Sequence, residues 1–279
     1  MKLAALITAF TTLYACTYTG AYAQELIKTS QGAKPVEITA DKTLEWDRNS
    51  KNFTANGNAK AKQGDTSVEA DVLKARYRST SQKSIDVREL EAIGNVVLTS
   101  KDSKAYGDRA LYSLDTNLAV MTGGNLSMTA PNGTVTAQER FEYWTEEGRL
   151  EAIGDAEIHH KDEKGQTNTL KADHFTAFLT EDSNGKQALK TLEAKGNVVI
   201  TTPAETLEGT YGIYDALKQT AEITGGVTIT RGPNTLEGES ASVDLKTGVS
   251  TLTGSGTADG QVRGVFYPET APKEETASP

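Results

Sequence analysis

The chain has 279 residues, 37% of them apolar with 25 glycines besides, and sets 29 Lys and Arg against 38 Asp and Glu for a formal charge of −9. This composition excludes a chain disordered throughout. The acidic balance, with no basic cluster, excludes nucleic acid as a partner, because neutralising phosphates needs Lys and Arg.

The first element reads as an export signal. Met1-Lys2 supplies a positive start, Leu3 to Ala15 is largely apolar, and Ala21-Tyr22-Ala23 forms an A-x-A cleavage site before Gln24. The apolar core is too short for a membrane span, so residues 1–23 are expected to be a signal peptide cleaved after Ala23. Cys16, the sole cysteine, leaves with it, and the mature chain then holds no thiol, disulfide or thiolate ligand. A second reading stays open: Leu13-Tyr14-Ala15-Cys16 loosely matches a lipoprotein box that would lipidate Cys16, with Tyr14 the poor fit.

From Val36 onward the chain reads as strands. Val36, Ile38, Ala40, Leu44 and Trp46 share one parity, and Glu37, Thr39, Asp41, Thr43 and Glu45 share the other. That period of two predicts one apolar face. Val135, Ala137, Phe141 and Tyr143 repeat it, as do Val198 and Ile200, then Val227 and Ile229. Between Val68-x-Ala70 and Leu73-x-Ala75-x-Tyr77 the parity slips by one residue, which predicts a bulge or sharp bend. Ser50 to Asn52, Asn132-Gly133, Glu146-Glu147-Gly148, Asp182-Ser183-Asn184-Gly185 and Gly232-Pro233-Asn234 supply turns. Residues 268–279, rich in Pro, Glu and Thr, read as a disordered tail.

The strands carry an internal repeat. Leu90-Glu91-Ala92-Ile93-Gly94-Asn95 returns as Leu150-Glu151-Ala152-Ile153-Gly154-Asp155 and as Leu192-Glu193-Ala194-Lys195-Gly196-Asn197. Looser forms surround Gly57, Gly124, Gly225 and Gly254. A second motif, a small residue followed mostly by an acid, alternates with the first. It occurs at Ala40-Asp41, Ala70-Asp71, Gly107-Asp108, Ala172-Asp173 and Gly238-Glu239, and less faithfully at Ala137-Gln138 and Gly209-Thr210. The two interleaved motifs give about seven units. A glycine at one place in every unit predicts a common crease, hence a stack of V-shaped layers around an apolar interior. Seven layers at about 4.8 Å each would stand roughly 34 Å tall.

The search for chemistry is nearly empty. No phosphate loop and no G-x-S-x-G elbow occur. The acid that recurs in the second motif is expected to be structural, since catalysis is not repeated along a chain. His159 and His160 are adjacent in a strand and must face opposite ways, so only one could join His174. They read as a solvated pair beside a turn, and neither a metal nor a cofactor is expected. The apolar stripe is either plain core or a groove left open for an apolar ligand.

The alternation of Pro35-Val36-Glu37-Ile38-Thr39-Ala40-Asp41, Phe53-Thr54-Ala55-Asn56-Gly57-Asn58-Ala59 and Val68-Glu69-Ala70-Asp71 resembles the OstA-like (LptA) family of periplasmic lipopolysaccharide-transport proteins. The pattern recurs from about Val36 to Val262. The resemblance implies an all-β jellyroll over residues 24–267, with room for two family segments in tandem, and a non-enzymatic carrier that holds lipid A acyl chains in its groove. It implies partners too: lipopolysaccharide and the jellyroll domains of LptC-like and LptD-like proteins; the unpaired end strands of an open stack predict head-to-tail contacts, either with those domains or with further copies of the chain. Ile38, Leu44, Trp46, Phe53, Phe141, Tyr143, Phe178 and Ile200 are the expected groove residues. The first edge is expected over Pro35 to Trp46 and the last over Val249 to Phe266. Two other readings remain at this point: an extracellular β-helix enzyme acting on polysaccharide, and a structural or adhesive repeat protein.

Overall fold

The computed structural model describes residues 35–79, 85–100, 103–131, 133–161, 165–181, 187–244, 246–247, 249–255 and 260–267. The expected signal peptide with Cys16, the turn at 182–185 and the tail at 268–279 lie outside the described residues.

All regular structure among these residues is strand. Ten long strands run the full depth of the fold: β3 (Asn52–Gln63), β4 (Thr66–Ser79), β5 (Ile85–Ser100), β6 (Ser103–Ser113), β11 (Arg149–Lys161), β12 (Thr167–Glu181), β13 (Gln187–Thr201), β14 (Thr206–Asp215), β15 (Thr220–Arg231) and β16 (Asn234–Asp244). Eight short strands run half the depth: β1 (Glu37–Thr39), β2 (Thr43–Asp47), β7 (Leu118–Thr122), β8 (Leu126–Ala130), β9 (Gly133–Ala137), β10 (Arg140–Trp144), β17 (Val249–Thr253) and β18 (Arg263–Val265). Every pairing is antiparallel, which removes the parallel β-helix.

A crease divides each long strand into two arms. The arm that begins with β1 continues through β3 to β6, β8, β9 and β11 to β16, and ends with β18. The arm that begins with β2 uses β7 and β10 in place of β8 and β9, and ends with β17. Each arm therefore stacks fourteen strands. Each strand, rather than each hairpin, adds one spacing of about 4.8 Å, so the stack is about 60 Å long and not 34 Å.

The recurring glycine makes the crease. Gly57 and Asn58 both have positive φ, 82° and 42°, and so do Gly94 with Asn95, Gly154 with Asp155 and Gly196 with Asn197. Two left-handed residues in succession form a bulge, which asks for glycine first and tolerates Asn or Asp second. The acid of the second motif completes it from the neighbouring strand. Asn58 Nδ2 donates to Asp41 at 2.8 Å, Asn95 to Asp71 at 2.9 Å and Asn197 to Asp173 at 2.9 Å. Where the asparagine is missing, the backbone N–H of Gly124 donates to Asp108 at 2.8 Å. The two sequence motifs are thus the two halves of one joint. The parity slip at Asp71 is this bulge: the register jumps between Asn56 and Ala59 of β3 and between Glu69 and Val72 of β4.

Apolar side chains cross the stack as rungs on the inner face. In the first arm one rung runs through Ile38, Ala61, Val68, Leu98, Ala105, Met128, Val135, Ile158, Leu170, Ile200, Leu207, Ile229 and Leu236 in unbroken register. On the outer face lie charged pairs such as Lys60 with Glu69 at 2.6 Å and Lys171 with Glu157 at 3.3 Å. These are exposed and contribute little to stability.

Candidate functional site

The interior is not filled evenly. Between the arms in the first part of the stack lies a cavity of about 520 Å³, bounded by β1 to β8, β10 and the start of β11. Its walls are apolar, with Leu73, Leu90, Leu98 and Met121 among them, and alanines at 55, 61, 75, 92, 105, 110 and 119 leave the space. Val36, Ile38 and Leu44 line it and are also exposed, so the cavity opens to solvent at the β1–β2 end of the stack. Farther on, Leu170, Phe175, Leu192, Ile200 and Tyr214 pack around a void of only about 20 Å³.

Five of the eight expected groove residues meet in the cavity wall: Ile38, Leu44, Phe53, Phe141 and Tyr143. Trp46 lies outside the wall at the mouth, half-exposed, with its ring stacked on Phe53 at 5.2 Å. Ile200 is buried in the filled part of the stack and lines only the small void. Phe178 does not belong to the stripe. It pairs with Arg149 and Thr191, while Ala177 and Leu179 on the other parity pack against the core. The cause is the crease at Asp173, which moves the inner face from Leu170 and Ala172 to Phe175 and Ala177. Counting by twos through that bulge puts Phe178 on the wrong side.

The histidines divide as strand geometry requires, but they are not a solvated pair. His159 is exposed, with Nε2 3.1 Å from Glu157, whereas His160 is 1% exposed in the interior. His174 lies on the outer face, 3.1 Å from Glu151. Among the described residues no group of three His, Cys, Asp or Glu could hold a metal ion. Reading from the residues alone also missed the alanines that hollow the cavity. The signal was present on the first-arm rung, where Ala61 and Ala105 come early and no alanine follows.

What this architecture is similar to is clear in family terms. No curated protein matches the sequence. Among solved structures, the chain matches LptH of Pseudomonas aeruginosa, described as the LptA-homologous periplasmic component of the lipopolysaccharide transport device, at 10% identity. The match covers 84% of this chain and 96% of that one with a TM-score of 0.21. The family model described as LptA/(LptD N-terminal domain) LPS transport protein matches residues 37–149 and 162–249, most of the sequence, and the chain belongs to that family of transport proteins.

Proposed function

We propose that this protein is a periplasmic carrier whose cavity holds the acyl chains of lipopolysaccharide, and that it bridges inner-membrane and outer-membrane transport components. The observation that carries this reading is the apolar cavity of about 520 Å³, open at one end of the stack. Each buried methylene is worth about 0.8 kcal/mol, so an acyl chain of a dozen carbons resists crossing water by roughly 10 kcal/mol. An apolar trough offsets that barrier without any reaction. Ile38, Leu44, Phe53, Phe141 and Tyr143 are the residues assigned to the acyl contact.

Bridging is supported by the ends of the stack. β1 and β2 pair only with β3, and β17 and β18 only with β16, in the registers of the described residues. Such edges accept a strand from another chain. A second copy, or an LptC-like or LptD-like jellyroll, would extend both arms and continue the trough.

Photo-crosslinkers at Ile38, Leu44, Phe53, Phe141 and Tyr143 test the first claim. They should trap lipopolysaccharide, and crosslinkers at Glu37, Thr39 and Glu45 should not. The reverse pattern would overturn the assignment. Native mass spectrometry of the purified protein should show co-purified lipid. A cysteine pair spanning the β2 edge of one copy and the β17 edge of the next tests the second claim, and failure to crosslink at any concentration would favour a diffusing carrier.

A further inference from the structure

The mouth of the cavity carries two features that an acyl channel does not need. The first is a fixed aromatic group. Trp46 follows Leu44 on the inner face of β2 and stacks on Phe53, which lines the cavity. Phe53 lies 5.1 Å from Tyr77, and Trp46 Nε1 donates to the Tyr77 hydroxyl at 2.6 Å. The indole is thus held by a stack and a hydrogen bond, yet it stays half-exposed where the apolar wall ends. Tryptophan, with a polar edge and an apolar face, suits the boundary between a hydrocarbon and water.

The second feature is a cation without a carboxylate. The guanidinium of Arg48 lies 4.5 Å from the centre of the Trp46 ring. The molecule holds a second arrangement of this kind, which serves as an internal comparison. Arg149 lies over Trp144 at 3.5 Å, but it also pairs with Glu147 at 2.9 Å and with Glu151. Arg76, Arg78, Arg88, Arg109, Arg140 and Arg263 each have a carboxylate as well. Among the described residues no ion pair is formed by Arg48 or by Lys51 in the same turn. The nearby carboxylate of Asp47 is engaged by the backbone N–H groups of Asn49 and Ser50 at 2.8 and 3.1 Å. A hydrogen bond from the Ser50 side chain, together with these backbone bonds, holds its pKa below the ordinary value. In a chain with an excess of acids, this turn carries two cations to one carboxylate, beside the aromatic stack that borders the cavity.

We infer that Trp46, Arg48 and Lys51 form a subsite for the phosphorylated sugar head group of the lipid whose acyl chains occupy the cavity. The inference rests on the carrier reading. Guanidinium stacked on an indole keeps its in-plane N–H groups free to fork onto phosphate oxygens. The subsite also remains compatible with bridging, because strand addition uses the backbone edge of β2 and not its inner face.

The test uses the full delipidated chain and two probes: an acylated diglucosamine bisphosphate, and the same molecule without phosphates. Arg48→Gln should weaken the bisphosphate about tenfold and the dephosphorylated probe by less than about twofold. Arg149→Gln, at the compensated stack, should change neither. Raising the salt concentration should erase the difference between the probes in the native chain. If Arg48→Gln changes both probes equally or neither, the head-group subsite is wrong while acyl binding stands. If the native chain binds neither probe, the carrier reading itself falls. Arg48 is in an exposed turn, and an unchanged Tm keeps a null result meaningful.

Discussion

Before Leu150 the two arms enclose about 520 Å³; around Leu170 to Glu222 the same two arms leave about 20 Å³. Both regions use the same crease, the same alternation of faces and the same antiparallel stacking. Along the first-arm rung they differ in the volume of side chain at equivalent inner positions. The first-arm rung carries Ala61 and Ala105 early, then Ile158, Leu170, Ile200, Leu207, Ile229 and Leu236 without interruption. A repeat fold can therefore be a container at one end and a packed body at the other with no change of backbone. The packed end supplies stability that the hollow end forgoes, since wall atoms facing a void lack partners on one side.

The largest expected effect comes from erasing that difference. Changing Ala61 and Ala105 to Leu gives the first-arm rung of the hollow end the bulk it has in the packed end. Acyl-probe affinity should fall by at least about tenfold, the counterpart of losing one or two buried methylene contacts or more. Thermal stability should hold or rise, because the new side chains enter space and not neighbours. The same enlargement at Ala194, 7% exposed in the packed end, should cost about 1–3 kcal/mol by overpacking. Equal destabilisation at both ends would mean that the cavity closes in solution.

Much of this was legible in the residues. Period-two alternation locates the strands, and the interleaved glycine and acid motifs mark the crease. Their partnership was not legible, because Asp71 and Asn95 are 24 residues apart in sequence and become neighbours only through the register of β4 on β5. The bulge also explains the failure at Phe178: periodicity is local, and each crease resets it. Ile200 shows a different limit. Its inward direction follows from parity, but whether the interior at that level is hollow depends on side chains from strands far away in sequence.

The crease should resist the comparison. A Cβ on Gly94 would lie 2.2 Å from Asp71 Oδ2, and one on Gly196 would lie 2.1 Å from Asp173 Oδ2, both at strongly positive φ. Gly94→Ala and Gly196→Ala should each cost about 3 kcal/mol, from left-handed strain together with displacement of the acid. Asn95→Ala and Asn197→Ala should each cost about 1 kcal/mol. Matching pairs in denaturant melts would show one joint used throughout. A much smaller cost at Gly94 would show that the softness of the hollow end extends to its hinge.

The smallest effect concerns Glu205, in the turn between β13 and β14 of the packed end. Its side chain is 6% exposed and one carboxylate oxygen has no hydrogen-bond partner among the described residues. Burial raises its pKa above the ordinary 4.5, and the charge of Arg231 only partly opposes that shift. A carboxyl group with a raised pKa in the folded state holds its proton there after the unfolded chain has released it. The folded state then binds more protons, so stability falls as pH rises from about 4.5 through the folded-state value, and stays low above it. Glu205→Gln keeps the shape and removes the charge. At neutral pH it should raise Tm by about 2 °C, and the gain should vanish as pH approaches 4.5. A lower Tm at neutral pH would mean that attraction to Arg231 outweighs the cost of burying the carboxylate, and that this charge helps to hold the packed end together.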